Sequence, residues 1–228
     1  MSEMIEFLKG YEDYFGDWVL EMAIASLVTM ELMLLSFILA CALGLVIALM
    51  RISQFSVLSG LTKVYIGFFR GVPVLVILYW IYFAMPELGY KVLLISSFTA
   101  AVLGLGIHGS AFLAEVFRSG IEALDQGQME AALSLGMTPA RAMRFIILPQ
   151  AARVVLPPMA NYSVGLLKET ALCSIIAVPE LMLRAKDVSS SSFLPMHAFV
   201  LAAVFYYIMS FPMMRLVEHL EAKMAVGQ

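Results

Sequence analysis

A chain of 228 residues that is 62% hydrophobic and 14% charged is too small to enclose so much apolar surface as a soluble domain, and reads as one membrane-embedded, all-α unit. The formal net charge of −3 gives no basis for a nucleic-acid partner. Cys41 and Cys173 have no metal-ligand spacing around them and read as free, buried thiols, with no metal or cofactor implied.

Taken in chain order, residues 1–17 carry Glu3, Glu6, Glu12, Asp13 and Asp17 where a cleaved signal peptide would be basic, so a retained periplasmic segment is expected. Apolar runs at 32–50, 71–86, 92–114, 154–167 and 188–214 then predict about five spanning helices, near 20–50, 64–85, 92–117, 151–170 and 193–216. In the first span, Ser36, Ala40, Gly44 and Ala48 recur every four residues and line one face with small side chains, which predicts close helix packing. Glu31 near its outer end should face protein or water. A link at 52–62 leads to the second span, which Gly71 and Pro73 should loosen. In the third span, His108, Phe112 and Glu115 share a face by their i, i+4, i+7 spacing and form a candidate polar solute contact. Glu115 has a rival role, because Arg70 on the antiparallel second span lies at similar depth and could pair with it.

The cytoplasmic segment 119–149 is strongly punctuated. Asp125 and Gln128 have a capping-box offset and open a helix that contains Glu130 to Leu135 and stops at Gly136. Thr138 caps a second helix with Pro139 at its first position and Pro149 at its far end. The Ala131 and Ala132 pair gives the first helix a thin face suited to a groove on another protein. In the fourth segment Pro157, Pro158, Asn161, Lys168 and Glu169 interrupt the apolar run, and Asn161, Gly165, Lys168 and Leu172 share a face. A pore-lining helix broken near the prolines and a kinked packing helix with Lys168 and Glu169 at the interface are both open readings. Ser189 to Ser192 fall in the last outer loop, and 219–228 form a carboxyl-terminal tail. With the amino terminus outside, Arg51, Lys63, Arg118, Arg141, Arg144, Arg153, Arg215 and Lys223 lie inside, against Lys9, Lys91, Arg184 and Lys186 outside. Amino terminus out and carboxyl terminus in is therefore favoured.

Several ordered motifs carry a family resemblance. Glu130-Ala131-Ala132, three residues, Gly136, nine residues and Ile146-Ile147-Leu148-Pro149 resemble the cytoplasmic loop by which permease subunits of bacterial ATP-binding-cassette importers grip their ATPase. Phe69-Arg70-Gly71-Val72-Pro73 resembles FRGTP, Ala111-Phe112-Leu113-Ala114-Glu115 resembles AYxAE, Gly127-Gln128-Met129-Glu130-Ala131-Ala132 resembles GQxEAA, Leu148-Pro149-Gln150-Ala151 resembles LPQA, and Lys168-Glu169-Thr170-Ala171-Leu172 resembles KDTSL. Together they identify the chain, from about 26 to 214, as similar to the polar amino-acid importer permeases, the group with the histidine, glutamine, arginine and glutamate systems. The departures are Val72 for Thr, Phe112 for Tyr, Glu169 for Asp and Ala171 for Ser, so three hydroxyls of the family pattern are missing.

The resemblance implies a type I importer transmembrane domain over 18–218 in the bacterial inner membrane, with Gln128, Glu130, Ala131, Ala132 and Gly136 coupling it to the ATPase. It also implies a translocation path near Arg70, His108, Phe112, Glu115, Asn161, Lys168 and Glu169. No G-x-x-x-x-G-K-[ST] loop occurs, so the chain is not expected to be an ATPase; ATP would be bound by partner subunits. The implied assembly has two ATPases, a second permease subunit, identical or related, a periplasmic solute-binding protein and an amino-acid substrate. A secondary transporter would carry paired broken helices and an intramembrane enzyme a companion nucleophile for His108, and the sequence shows neither pattern.

Overall fold

The computed structural model describes residues 15–84, 87, 95–124 and 126–225. Residues 1–14 of the expected periplasmic segment 1–17, the start of the expected third span and Asp125 of the expected capping box lie outside the described residues, while residues 15–17 begin the first helix. The described chain is helical throughout: α1 (Phe15–Arg51), α2 (Ser56–Gly71), α3 (Val74–Tyr79), α4 (Ser97–Glu122), α5 (Gln126–Ser134), α6 (Pro139–Ala142), α7 (Leu148–Glu169), α8 (Leu181–Ser192) and α9 (Pro195–Ala225).

The centre of the bundle is the crossing of α1 and α4, which small residues make possible. Ser36, Ala40 and Ala48 are 0% exposed, and a Cβ on Gly44 would lie 3.1 Å from both the Leu113 Cβ and the Ser110 carbonyl. On α4, a Cβ at Gly106 would meet Leu39 of α1 and one at Gly109 would lie 3.1 Å from the Ala40 Cβ, so the α1 stripe is met by glycines opposite, while Gly104 leaves room for Leu78 of α3. Leu32, Leu78, Leu105, Leu166, Leu167 and Val178 fill the core around this crossing. Trp18, Met22, Leu181, Ala185, Ala198 and Ala202 form a second cluster.

Several expected boundaries need correction. The link at 52–62 is short, because α2 begins at Ser56 and Arg51 closes the turn by donating to the Ser59 hydroxyl at 2.8 Å. The second span is two helices meeting at 102°, Ser56–Gly71 and Val74–Ala84. Val72 is extended (φ −98°, ψ 130°), the conformation preferred before proline, and Pro73 cannot supply the N–H that would continue α2. The second helix of the expected coupling loop does not stop at Pro149. It passes from α6 through a π-helical turn, Met143–Ile147, straight into α7, with Leu148 N–H bonded to the Met143 carbonyl five residues back. The wider turn shifts the register where Pro149 has no N–H to give. Pro157 and Pro158 likewise sit inside an unbroken α7, so the expected break near them is absent. Ser189 to Ser192 are the last residues of α8 and not loop; the helix stops at Phe193, whose φ is 59°.

By length and apolarity α1, α4 and α9 can each cross a membrane, and the bent α2–α3 pair makes a fourth crossing or a re-entrant one. The expected fourth span, α7, has 22 residues, about 33 Å at 1.5 Å per residue, but its prolines and polar residues keep it from passing on apolarity.

A buried polar chain ties the α7–α8 connection to the bundle. Glu180, 0% exposed, caps α8 by accepting from the N–H groups of Met182 (2.9 Å) and Leu183 (2.8 Å), and it also accepts from the Tyr206 hydroxyl of α9 (3.0 Å). The next N–H, of Leu181, donates to Thr29 Oγ1 of α1 at 3.0 Å. Tyr206 also interacts with Thr170, at the start of the 3-10 turn Thr170–Ile176 that follows α7.

Candidate coupling loop and polar path

The α5–α6 loop is built as a helix, a glycine turn and a second helix. At the end of α5, Gly136 N–H bonds the Leu133 carbonyl (2.9 Å) and Met137 N–H bonds the Ala132 carbonyl (3.1 Å), with Gly136 at φ +80°. These two bonds make a Schellman stop, which needs a left-handed residue where Gly136 stands. Thr138 then accepts from Arg141 N–H (3.4 Å), with Pro139 in the first turn.

The Ala131 and Ala132 pair divides. Ala132 is buried at 4% exposure against the chain's own π-helical turn and α6, and only Ala131 looks outward, so no shared thin face is presented. A one-residue step turns a helix by about 100° and separates them. What α5 and its continuation do present are Leu133 at 42%, Leu135 at 84% and Phe145 at 62% exposure. Such apolar side chains on a polar loop are a candidate protein contact. Spacing motifs did not single them out, although an unshielded Leu-x-Leu beside the glycine was the available signal. Glu130 is exposed and its side chain pairs with nothing among the described residues, so it does not brace the helix from within; its main-chain carbonyl accepts from Ser134 (2.9 Å). Gln128 accepts from Gln150 Nε2 at 3.5 Å, and the same amide donates to the Ile146 carbonyl of the π-helical turn at 3.0 Å. Gln150 thus joins the loop helix to the root of α7. An open cleft of about 630 Å³ bordered by Ile52, Ile121, Glu122, Met129, Met143 and Ile147 separates the loop helix from the bundle.

Within the bundle the seven candidate path residues separate into three places. Arg70 is exposed at the end of α2. Glu115 is not paired with it: the carboxylate takes two hydrogen bonds from Arg118, which also pairs with Glu122. Arg118 lies one turn along the same helix and reaches Glu115 without bridging between helices, which is why it wins over Arg70.

The second place is the α1–α4–α7 crossing. Phe112 stacks on Tyr162 with centroids 5.1 Å apart and 21° between planes. The Tyr162 hydroxyl fills the space that a side chain at Gly109 would occupy, with Ala40 behind it. Close to that point four buried polar atoms have no hydrogen-bond partner among the described residues: Ser36 Oγ, His108 Nδ1, Tyr162 OH and Glu169 Oε2. Tyr162 interacts electrostatically with both Glu169 and Cys41, which places the carboxylate beside the crossing. Buried polar groups are nearly always satisfied, so these four atoms mark a place for water or a polar solute. Tyr162 and Ser36 were not foreseen as polar contacts; one was hidden in an apolar run and the other read as a packing residue.

The third place is the outward face of α7. Asn161, Gly165 and Lys168 are all exposed there, while Leu172 is half-buried in the 3-10 turn beyond it. Lys168 borders a separate groove of about 350 Å³ between α7, α8 and α9, directed away from Glu169. Among the described residues no group of His, Cys, Asp and Glu could hold a metal ion.

Known proteins resemble this chain in sequence and in fold. The chain is 41% identical to a probable amino-acid ABC transporter permease, PatM, of Vibrio harveyi over 78% of this chain and 80% of the relative. It is 38% identical to a probable glutamine ABC transporter permease, GlnM, of Bacillus subtilis over 80% and 83%. A chain from a crystal structure of an amino acid ABC transporter with histidines superposes with a TM-score of 0.84 at 34% identity, over 92% of this chain and 96% of that one. An inward-facing MetNI methionine transporter chain, at 18% identity and a TM-score of 0.66, shares the fold. Residues 40–226 match the family of binding-protein-dependent transport system inner membrane components, and the chain is a member of that family, a permease subunit with the type I ABC importer fold.

Proposed function

We propose that this permease imports a polar amino acid delivered by an extracytoplasmic binding protein, and that separate ATPase subunits drive it through the loop of α5. The carrying observation is the α5 turn: an ordered Schellman stop at Gly136 that displays Leu135 at 84% exposure between membrane helices. An isolated loop gains nothing by ordering an apolar side chain into solvent, whereas a docked one buries about 0.8 kcal/mol per CH₂. Leu133, Leu135 and Phe145 supply the apolar contact, and exposed Glu130 supplies a charge for the ATPase to read. Gln150 carries the push to α7, whose inner side holds Tyr162 and Glu169.

The amino-acid substrate class is supported by the names of relatives 38% to 41% identical over most of both chains. It also fits the unpartnered atoms at the crossing: a carboxylate, a phenol, an imidazole and a hydroxyl offer both donors and acceptors to a zwitterion. We assign His108, Phe112, Tyr162 and Glu169 to this path, and the amino terminus to the periplasmic side. In alternating access the paired loops move as the ATPases close, and the path changes its opening by rigid-body rotation.

Tagged chain purified in mild detergent should bring an ATPase with it by mass spectrometry. In liposomes the complex should hydrolyse ATP faster when solute-loaded binding protein is added. Proton-coupled uptake by this chain alone would replace the reading with a secondary transporter.

A further inference from the structure

One stretch of the chain gathers positive charge with no acid to balance it. From Arg51 to Ala84 the charged residues are Arg51, Lys63 and Arg70, with no Asp or Glu among them. Lys63 and Arg70 are exposed seven residues apart on one flank of α2, and neither makes an ion pair among the described residues. Beside that flank Val57, Leu61, Val64 and Phe68 recur at i, i+4, i+7, i+11 and are 51% to 73% exposed. The helix packs by its other side, where Thr62 and Ile66 are buried. Gly60, Gly67 and Gly71 separate the apolar stripe from the cations, and a Cβ on any of them would meet nothing within 4 Å, so the surface between stripe and cations is open.

The helix also lies across the bundle and not along it. α3 follows α4, because Leu78 shares the core with Ala100, Ala101 and Leu105 and fills the space beside Gly104. α2 meets that direction at 102°, close to a right angle. Near its start Ser59 is held by Arg51 at the end of α1, and in its middle the Tyr65 hydroxyl reaches Ser110 Oγ at 2.7 Å and donates to the Ile107 carbonyl at 3.2 Å. Glu115 of α4 interacts electrostatically with both Arg51 and Arg70. Ser59 and Arg70 are about 16 Å apart along the α2 axis, yet both ends of the helix stay near one level of α4. A helix across a membrane bundle, with one apolar face open and Lys and Arg beside it, has the form of an interfacial helix, whose apolar side chains enter the acyl boundary while its cations reach the headgroups. An acidic peptide would match the cations and leave the apolar stripe in water, whereas an anionic phospholipid matches both.

We propose that α2 lies in the membrane plane at the α5 end of the bundle and binds anionic phospholipid, with Lys63 and Arg70 on the headgroups and Val57, Leu61, Val64 and Phe68 among the upper acyl segments. The Arg51–Ser59 and Tyr65–Ser110 bonds then carry the state of that leaflet to the ends of α1 and α4. The site lies outside the importer reading, which stands without it.

The test uses the full chain without Cys41 and Cys173, together with the subunits that co-purify with it, in phosphatidylcholine liposomes. A bimane label at Leu61→Cys should be quenched by nitroxide-labelled phosphatidylglycerol at least about fivefold more effectively than by nitroxide-labelled phosphatidylcholine at low ionic strength. About 0.5 M salt, or Lys63→Gln with Arg70→Gln, should bring the ratio near one, and a label at Ile38→Cys on the flank of α1 should show no preference. Labels at Val57→Cys and Phe68→Cys should report one depth when nitroxides at different acyl positions are compared, whereas a crossing helix would separate them by about 16 Å. Equal quenching by the two lipids at Leu61→Cys, or the same preference at Ile38→Cys, overturns the anionic site. Quenching by neither lipid means that protein covers the stripe and overturns the proposal whole, and unequal depths overturn the in-plane placement.

Discussion

Gly136 shows how one backbone angle can carry a function. No atom lies within 4 Å of where its Cβ would be, so the demand at this position is conformational and not steric crowding by neighbours. At φ +80° an L side chain meets its own backbone, at about 1–2 kcal/mol, more for a β-branched one. Gly136→Val should therefore insert and express near normally yet lose transport about tenfold or more, with weak ATPase retention or hydrolysis that no longer responds to binding protein. Vesicle uptake beside a pull-down measures both, and normal uptake with normal retention would remove the coupling role. Gly109 is the opposite case, a glycine required by a neighbour: the Tyr162 hydroxyl occupies its side-chain space. Gly109→Ala should cost about 1–3 kcal/mol by overpacking. Adding Tyr162→Phe should recover part of the loss in a thermal melt, because the two positions are in contact and do not act additively. The first glycine was legible from spacing and turn chemistry. The second was not, because Tyr162, far along the chain on another helix, reaches it only through the fold.

At the scale of elements, apolar runs located the long helices, because burial in lipid or protein imposes a composition that survives any tertiary detail. Their ends and interruptions were less legible. Gly71 and Pro73 announced a disturbance, and the 102° angle followed from the extended residue that a proline demands before it. Pro149, Pro157 and Pro158 sent the same signal, yet α7 stays whole, since a π-helical turn and the surrounding packing absorb the missing donors. Arg70 and Glu115 illustrate a second limit. Depth alone suggested a pair between helices, while the partner three residues along the same helix was nearer. Glu115→Gln should accordingly leave Arg118 with Glu122 and lower folded yield only modestly, whereas Arg118→Met should lower it more by stranding two carboxylates. Fluorescence-detected gel filtration of both variants gives the comparison, and equal yields would show that the network carries no weight. For α5, Leu135→Asp should reduce ATPase co-purification about tenfold without changing the fold, since the side chain is 84% exposed and touches little of its own chain. Unchanged co-purification would move the contact elsewhere.

The molecule as a whole is two kinds of surface joined by one crossing. Small residues hold α1 and α4 together, polar atoms without partners collect where α7 joins them, and the loop of α5 stands at the end of α4 and the root of α7. A displacement of α5 therefore acts on α7 through a single polar contact and a continuous helix, which suits rigid-body coupling better than a flexible linker would. The direction of that coupling depends on which end of the bundle faces the cytoplasm. Arg51, Arg118, Arg141, Arg144 and Arg153 gather at the α5 end, against Arg184 and Lys186 on α8 among the described residues at the other. Positive charge is retained inside, so the α5 end should be cytoplasmic. Ser134 and Ser190 are exposed at the two ends and suit a direct measurement. In a chain without Cys41 and Cys173, Ser190→Cys should react with an impermeant thiol reagent on intact cells, while Ser134→Cys should react only after the membrane is opened. Labelling of Ser134→Cys alone would invert the bundle and place α5 out of reach of any cytoplasmic ATPase. Labelling of both would mean that the two ends share a side, and that the bent α2–α3 pair or α7 does not cross the membrane as its length allows.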